Sequence, residues 1–304
     1  MKTFQKTAIS AVAVGLLAGL GSISAFAEDA PAPAPEVSPL TANVTVASNY
    51  IYRGLTQSNN KPAIQGGFDY ADDSGFYVGN WNSSISWISD EYNAPGVNST
   101  AVRSAPSTSA PIEMDFYAGF KKELIAPGFA SDFGVLQYYY PTTGLGGIQS
   151  QAYVNQHPTY RQASGASPST TELYAAQNFT AGPVTGFLKF SYAVTNLFGI
   201  QDSTGSFYPD LTANYDTGVY GITVNAHVGY QYVPNNITLA GATYNWSYAD
   251  WKLGLTKDFG GGLSGSAYYT GTSASSTNGG YIYSTPNGGN QGRGNAVVAL
   301  TKTF

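Results

Sequence analysis

Residues 219–232 read Val-Tyr-Gly-Ile-Thr-Val-Asn-Ala-His-Val-Gly-Tyr-Gln-Tyr. Tyr220, Ile222, Val224, Ala226, Val228 and Tyr230 share one parity, and Thr223, Asn225, His227 and Gln231 share the other. Successive side chains of a strand point to opposite faces, so this segment predicts a strand with one apolar and one polar face. It follows Asp216-Thr217-Gly218, a composition suited to a tight turn, and the strand-like run Phe207–Tyr215.

The same unit recurs in both directions. Further strands are expected at Asn43–Arg53, Ala63–Ala71, Phe76–Trp87, Ile112–Lys122, Asp132–Tyr140, Glu172–Phe179, Val184–Ala193, Tyr244–Asp258, Leu263–Thr270 and Asn295–Phe304. Their connections alternate in length. Asp72–Gly75, Ala126–Gly128, Ala181–Pro183, Asp216–Gly218 and Gly260–Gly262 are tight, whereas 90–111, 141–170, 196–206, 234–242 and 271–292 are long. In hydrocarbon every backbone donor and acceptor needs an internal partner, so only helices and closed barrels can span. Beyond its first residues the chain has no apolar run of the roughly 20 residues that a spanning helix needs. The expected fold is therefore all-β: an antiparallel transmembrane barrel of about twelve strands over 41–304, with short turns and both termini periplasmic.

The two ends of the chain agree with export to an outer membrane. Lys2 and Lys6 precede the apolar run Ala8–Leu20, and Ala25-Phe26-Ala27 is a small-x-small cleavage site. This predicts a signal peptide over 1–27, with cleavage after Ala27. The Pro/Ala-rich segment 28–40 cannot pair in a sheet and is expected to be an extended periplasmic tail. At the other end Ala296, Val298, Leu300 and Phe304 share one parity. A last strand ending on an aromatic resembles the signal read by the barrel-assembly machinery of the bacterial outer membrane, although Lys302 stands where a hydrophobic residue is usual. The expected location is that membrane, with its lipid as a partner.

Composition narrows the function. Charged residues make up 10% of the chain against about 25% in soluble domains, and aromatics 14%, with 24 Tyr. Without Lys2 and Lys6 the 13 basic residues fall to 11 against 18 acidic ones, a formal charge of −7 that argues against nucleic acid as a partner. The absence of cysteine excludes a lipoprotein anchor, disulfides and thiolate metal sites.

Ser48-Asn49-Tyr50-Ile51-Tyr52-Arg53-Gly54 is followed by Pro62-Ala63-Ile64-Gln65-Gly66-Gly67, Asp69-Tyr70, Gly75-Phe76-Tyr77-Val78-Gly79 and Trp81. Glu113-Met114-Asp115-Phe116-Tyr117-Ala118-Gly119 comes later. With these motifs the chain resembles the TorF-type porin family, long described as bacterial proteins of unknown function. The resemblance covers the chain after the Pro/Ala tail. It implies an outer-membrane barrel with a pore, and no established substrate or catalytic residue.

The interior is where function is expected. By parity its acids are Asp69, Glu113, Asp115, Glu172, Asp210, Asp250 and Asp258, its basic residues Arg53, Lys121, Lys189 and Lys252, and His227 lies on the same side. Rings of acidic groups favour cations in a pore, so the count predicts a porin-like channel for small polar solutes with a weak cation preference. The competing reading has these charges pair and brace the barrel. Arg53 is either a constriction charge or the partner of a nearby carboxylate such as Asp69, and the second role is preferred.

Catalysis is not expected, and neither is a cofactor or metal. His157 and His227 are the only two histidines, neither with a recognisable nucleophile beside it. A barrel without an open pore that serves as a surface adhesin is the alternative, and an outer-membrane hydrolase a more distant one. The sequence leaves the oligomeric state open.

Overall fold

The computed structural model describes residues 38–92, 108–144, 167–200, 202–239, 242–274, 276–277, 280–285 and 289–304. The expected signal peptide, most of the expected tail, His157 and much of the two longest loops lie outside them.

Twelve strands build the wall. They are β1 (Leu40–Ala47), β2 (Ala63–Ala71), β3 (Phe76–Ser84), β4 (Ile112–Ala126), β5 (Phe129–Tyr139) and β6 (Thr170–Ala181), followed by β7 (Val184–Ala193), β8 (Phe207–Asp216), β9 (Ile222–Gln231), β10 (Tyr248–Gly260), β11 (Leu263–Thr272) and β12 (Asn295–Thr303). Each pairs antiparallel with the next, and β12 returns to β1, closing the barrel. At the seam Val46 lies opposite both Ile64 and Leu300. Phe304 continues the closure, its N–H donating to the Ala42 carbonyl at 2.9 Å. Closure removes the unpaired edges that an open sheet would leave.

Alternation sorts the side chains as the sequence predicts. Val44, Val46, Ile64, Phe68, Val78, Leu188, Leu253, Val298 and Leu300 are exposed on the outer surface. Thr45, Gln65, Asp69, Glu113, Asp115, Glu172, Asn225 and Thr256 are buried inside. An apolar exterior that encircles the molecule far exceeds the few hundred Å² a soluble monomer exposes. Among the described residues no helix is long and apolar enough to cross a membrane.

Aspartates cap three of the five tight turns. Asp72 Oδ1 accepts from the Ser74 amide at 2.8 Å, Asp216 Oδ1 from Gly218 at 2.9 Å and Asp258 Oδ1 from Gly260 at 2.8 Å. These side chains imitate a turn hydrogen bond. Asp258, expected in the interior by parity, is paired with Ser264 near the end of its strand and caps the turn that follows.

Most strand boundaries shift by a few residues from the sequence reading, and three shifts change the structure around them. The strand expected at Val219–Tyr232 begins only at Ile222, because Tyr220 and Gly221 both take positive φ (53° and 63°) and widen the turn. The third strand ends at Ser84 rather than Trp87, and a short helix, α1 (Trp87–Tyr92), follows in its place. The third difference shapes the interior. Val44, Val46, Tyr50 and Tyr52 share a parity that predicts one strand to Arg53, but the wall ends at Ala47 and the chain turns inward at Ser48.

Candidate functional site

Residues 48–62 fold into the barrel instead of extending its wall. Ile51–Tyr52 pair with Leu55–Thr56 as a two-residue hairpin turning at Arg53-Gly54, with φ of 44° and 77°. Positive φ at both central residues is the type I′ condition, which the second position readily meets with glycine. A Cβ at Gly54 would collide with Asp250 and Thr272, so the tip lies against β10 and β11 across the interior. The base is pinned by Asn49, whose Oδ1 accepts from Thr56 Oγ1 at 2.7 Å and Ser58 Oγ at 3.0 Å.

Arg53, at this tip, ties the hairpin to the wall. Its Nη2 donates to Glu172 Oε2 at 2.7 Å and its Nη1 to Gln231 Oε1 at 2.6 Å. The guanidinium lies 4.2 Å from the Tyr208 ring centre and 4.9 Å from that of Tyr52. The pairing role preferred for Arg53 is present with Glu172, 119 residues away, rather than with Asp69.

The acids of β2–β6 are taken up by tyrosines. Glu113 accepts from Tyr50 and Tyr140, each at 2.6 Å. Asp69 accepts from Tyr117, and Asp132 from Tyr77 at 2.7 Å, whose hydroxyl also meets Tyr174. Tyr138 reaches Glu172 at 3.3 Å and Tyr52 at 2.6 Å. Glycines on adjacent strands let the rings lie flat on the wall, since a Cβ at Gly119 would strike the Tyr77 hydroxyl. Asp115 is fully buried here and neither carboxylate oxygen has a hydrogen-bond partner among the described residues. Trp81, Ile85, Trp87, Ile88 and Leu136 complete an aromatic packing that fills this half.

The other half is open. A cavity of about 320 Å³ lies below the hairpin, lined by Arg53, Lys121, Lys189, His227, Lys252, Asp210 and Asp250. Toward the tight-turn end its walls are hydroxyls and amides, including Thr45, Asn178, Thr180, Asn214, Asn225, Ser264 and Thr301. His227 sits between the two carboxylates, its Nδ1 2.9 Å from Asp210 and its Nε2 2.9 Å from Asp250. Tyr208 donates to Asp250 at 2.8 Å and Thr212 to Asp210 at 3.0 Å. Lys189 lies over the Tyr174 ring at 4.6 Å and Lys252 over that of Tyr268 at 5.4 Å.

Parity thus brings Lys121, Lys189, His227, Lys252, Asp210 and Asp250 to one cavity, the hairpin adds Arg53, and Asp69, Glu113, Asp115 and Glu172 are absent from its lining. What it misses is the inward hairpin, whose one local signal is Arg53-Gly54 between two β-forming pairs. Among the described residues no three His, Asp or Glu are arranged to hold a metal ion.

The family model for Gcw_chp, a bacterial protein family of unknown function, matches residues 31–304. The chain belongs to this family. No curated protein matches it significantly. Similar solved structures include the KdgM porin (TM-score 0.48, 6% identity, 87% of this chain and 99% of that one) and the NanC porin (0.48, 8%, 87% and 98%). Outer membrane phospholipase A from Escherichia coli is also similar (0.42, 13%, 86% and 91%). Likenesses of this size carry no solute or activity over to the Gcw_chp chain.

Proposed function

We propose that this Gcw_chp protein is a porin-like channel of a bacterial outer membrane that admits small polar solutes by diffusion. The observation that carries the reading is the closed twelve-strand barrel with an apolar outer surface and a polar cavity of about 320 Å³ inside. Such a wall satisfies its own backbone in lipid, and an interior of this polarity suits an aqueous path. On this reading the tight turns and both termini are periplasmic and the long loops external. The signal is removed after Ala27, and Phe304 is read during assembly. Membership of the TorF-type porin family belongs to the same proposal.

The structure favours a channel over a hydrolase at one specific point. Both ring nitrogens of His227 face carboxylates, and the two hydroxyls within their reach, Thr212 and Tyr208, donate to those same carboxylates, so the imidazole is a link in a closed network rather than a base aimed at a nucleophile. The sign of selectivity needs more than a count. Interior acids outnumber bases, which by itself favours cations, but Glu113, Asp69 and Glu172 are held by tyrosines and Arg53 away from the cavity.

Refolded barrel in planar bilayers tests the reading. Discrete single-channel steps are expected. A correctly folded, heat-modifiable barrel that never conducts would overturn it in favour of an adhesin without an open pore.

A further inference from the structure

The cavity carries the opposite sign to the chain. Arg53, Lys121, Lys189 and Lys252 line it with His227, against Asp210 and Asp250 alone. The cause lies in how each lysine's cross-strand neighbour is used. Lys189 lies in register with Asp210, but that carboxylate turns to His227 and Thr212. Lys121 lies in register with Asp132, which accepts from Tyr77. Lys252 lies in register with His227, itself basic. Asp250, the other carboxylate of the cavity, is engaged by His227 and Tyr208. Among the described residues none of the three ammonium groups is in an ion pair within 4 Å, although an opposite-charge neighbour is normally the cheapest partner on a sheet face.

We propose that Lys121, Lys189 and Lys252 form a binding site for small oxyanions, carboxylates or phosphates, within the bore. An ammonium that is half-buried and unpaired is a strong donor to an oxyanion, because such a bond is charge-assisted and less water competes for it. Neutral donors share the site, since Ser191, Ser266 and the Tyr268 hydroxyl line the same cavity. Its volume of about 320 Å³ falls at the low end of small-molecule pockets, which span about 300–1,000 Å³. Arg53 closes the site from the long-loop side. Its charge is balanced by Glu172, so it shapes the entrance while the lysines supply the net charge. In a channel this arrangement selects anions, the reverse of what the residue count suggests.

The site rests on the channel reading for its role in transport, and two measurements separate the two ideas. Full-length processed protein is refolded, and its heat-modifiable migration checks that each variant has folded. Bilayer recordings in a KCl gradient give the reversal potential. Isothermal titration in detergent with succinate and with inorganic phosphate gives binding that does not depend on conduction. Wild type is expected to favour chloride and to bind at least one of the two anions saturably. Succinate alone would assign the site to carboxylates and phosphate alone to phosphates. The double variant Lys189→Gln/Lys252→Gln is expected to bind at least tenfold more weakly and to lose the chloride preference. Lys122→Gln, outside the cavity at the tight-turn end, is expected to match wild type. Anion binding without any current would keep the site and overturn the channel. Current with no saturable anion binding, or with a reversal potential favouring potassium, would keep the channel and overturn the site. Equal weakening by Lys122→Gln would also overturn it, because the effect would then be one of overall charge.

Discussion

The two halves of the barrel interior are written in the same period-two code and use charge in opposite ways. Across β2–β6 carboxylates are buried under tyrosines and the space is filled. Across β7–β11 Lys189 and Lys252 line a cavity that Lys121 of β4 joins, and the cross-strand acids of Lys189 and Lys121 are engaged elsewhere. A strand decides only whether a side chain faces in or out. Which half becomes a brace and which a passage depends on the neighbour each charge leans toward. Here tyrosines paired with glycines make the brace: the rings of Tyr117, Tyr77 and Tyr174 lie where Gly79, Gly119 and Gly134 leave room. The inward hairpin divides the halves, its tip Arg53 bound to Glu172 at the edge of the packed side and to Gln231 at the edge of the open one.

Arg53→Ala is the harshest way to break this contrast. It leaves Glu172, 2% exposed, without its cation, and an unpaired buried charge costs about 3–5 kcal/mol. The urea midpoint of the folded barrel is expected to fall accordingly. Single-channel conductance is expected to rise, since the hairpin tip loses both of its tethers to the wall. A loss of stability with unchanged conductance would show that the hairpin braces the barrel without narrowing it.

Much of this could be read from the chain. The alternation at 219–232, the repeated Asp/Gly turns and the switch between short and long connections predict about twelve antiparallel strands, and the barrel has twelve. Parity also brings six of the proposed interior residues, Lys121, Lys189, Asp210, His227, Asp250 and Lys252, to one cavity. The hairpin was not legible because Tyr50 and Tyr52 keep the parity of Val44 and Val46. Periodicity runs unbroken through Ser48-Asn49 even though the backbone leaves the wall there. The Arg53–Glu172 pair was hidden for a different reason: its members stand 119 residues apart and meet only across the closed interior. Charge segregation is likewise invisible to parity, which cannot tell that Asp210 turns to His227 when Lys189 is its register partner.

Matched wall substitutions sharpen the comparison at intermediate scale. Gly119→Val on the packed side forces a side chain into the Tyr77 hydroxyl and is expected to cost about 1–3 kcal/mol by overpacking. Ser266→Ala on the open side touches only the cavity wall and is expected to stay within about 0.5 kcal/mol. Equal costs in urea unfolding would mean that the two halves are packed alike. Tyr50→Phe removes one of two donors to buried Glu113, and about 1–3 kcal/mol is expected from the group left short of a partner.

The smallest effect should have the opposite sign. Asp115 is fully buried two residues from Glu113 on the same face, and neither of its oxygens finds a hydrogen bond among the described residues. Asp69, Glu113, Asp132 and Glu172 each have a tyrosine or arginine donor, so Asp115 is the one interior carboxylate of β2–β6 left without a partner among the described residues. Asp115→Asn keeps the shape and removes the charge beside Glu113. A gain on the order of 1 kcal/mol in urea unfolding is expected, because an unsatisfied buried charge costs more than a buried amide. A variant less stable than wild type would mean that the carboxylate has a partner in the folded barrel, such as a bound cation. The packed half would then hold an ion, and the division into a sealed brace and an open, ion-accepting passage would fail.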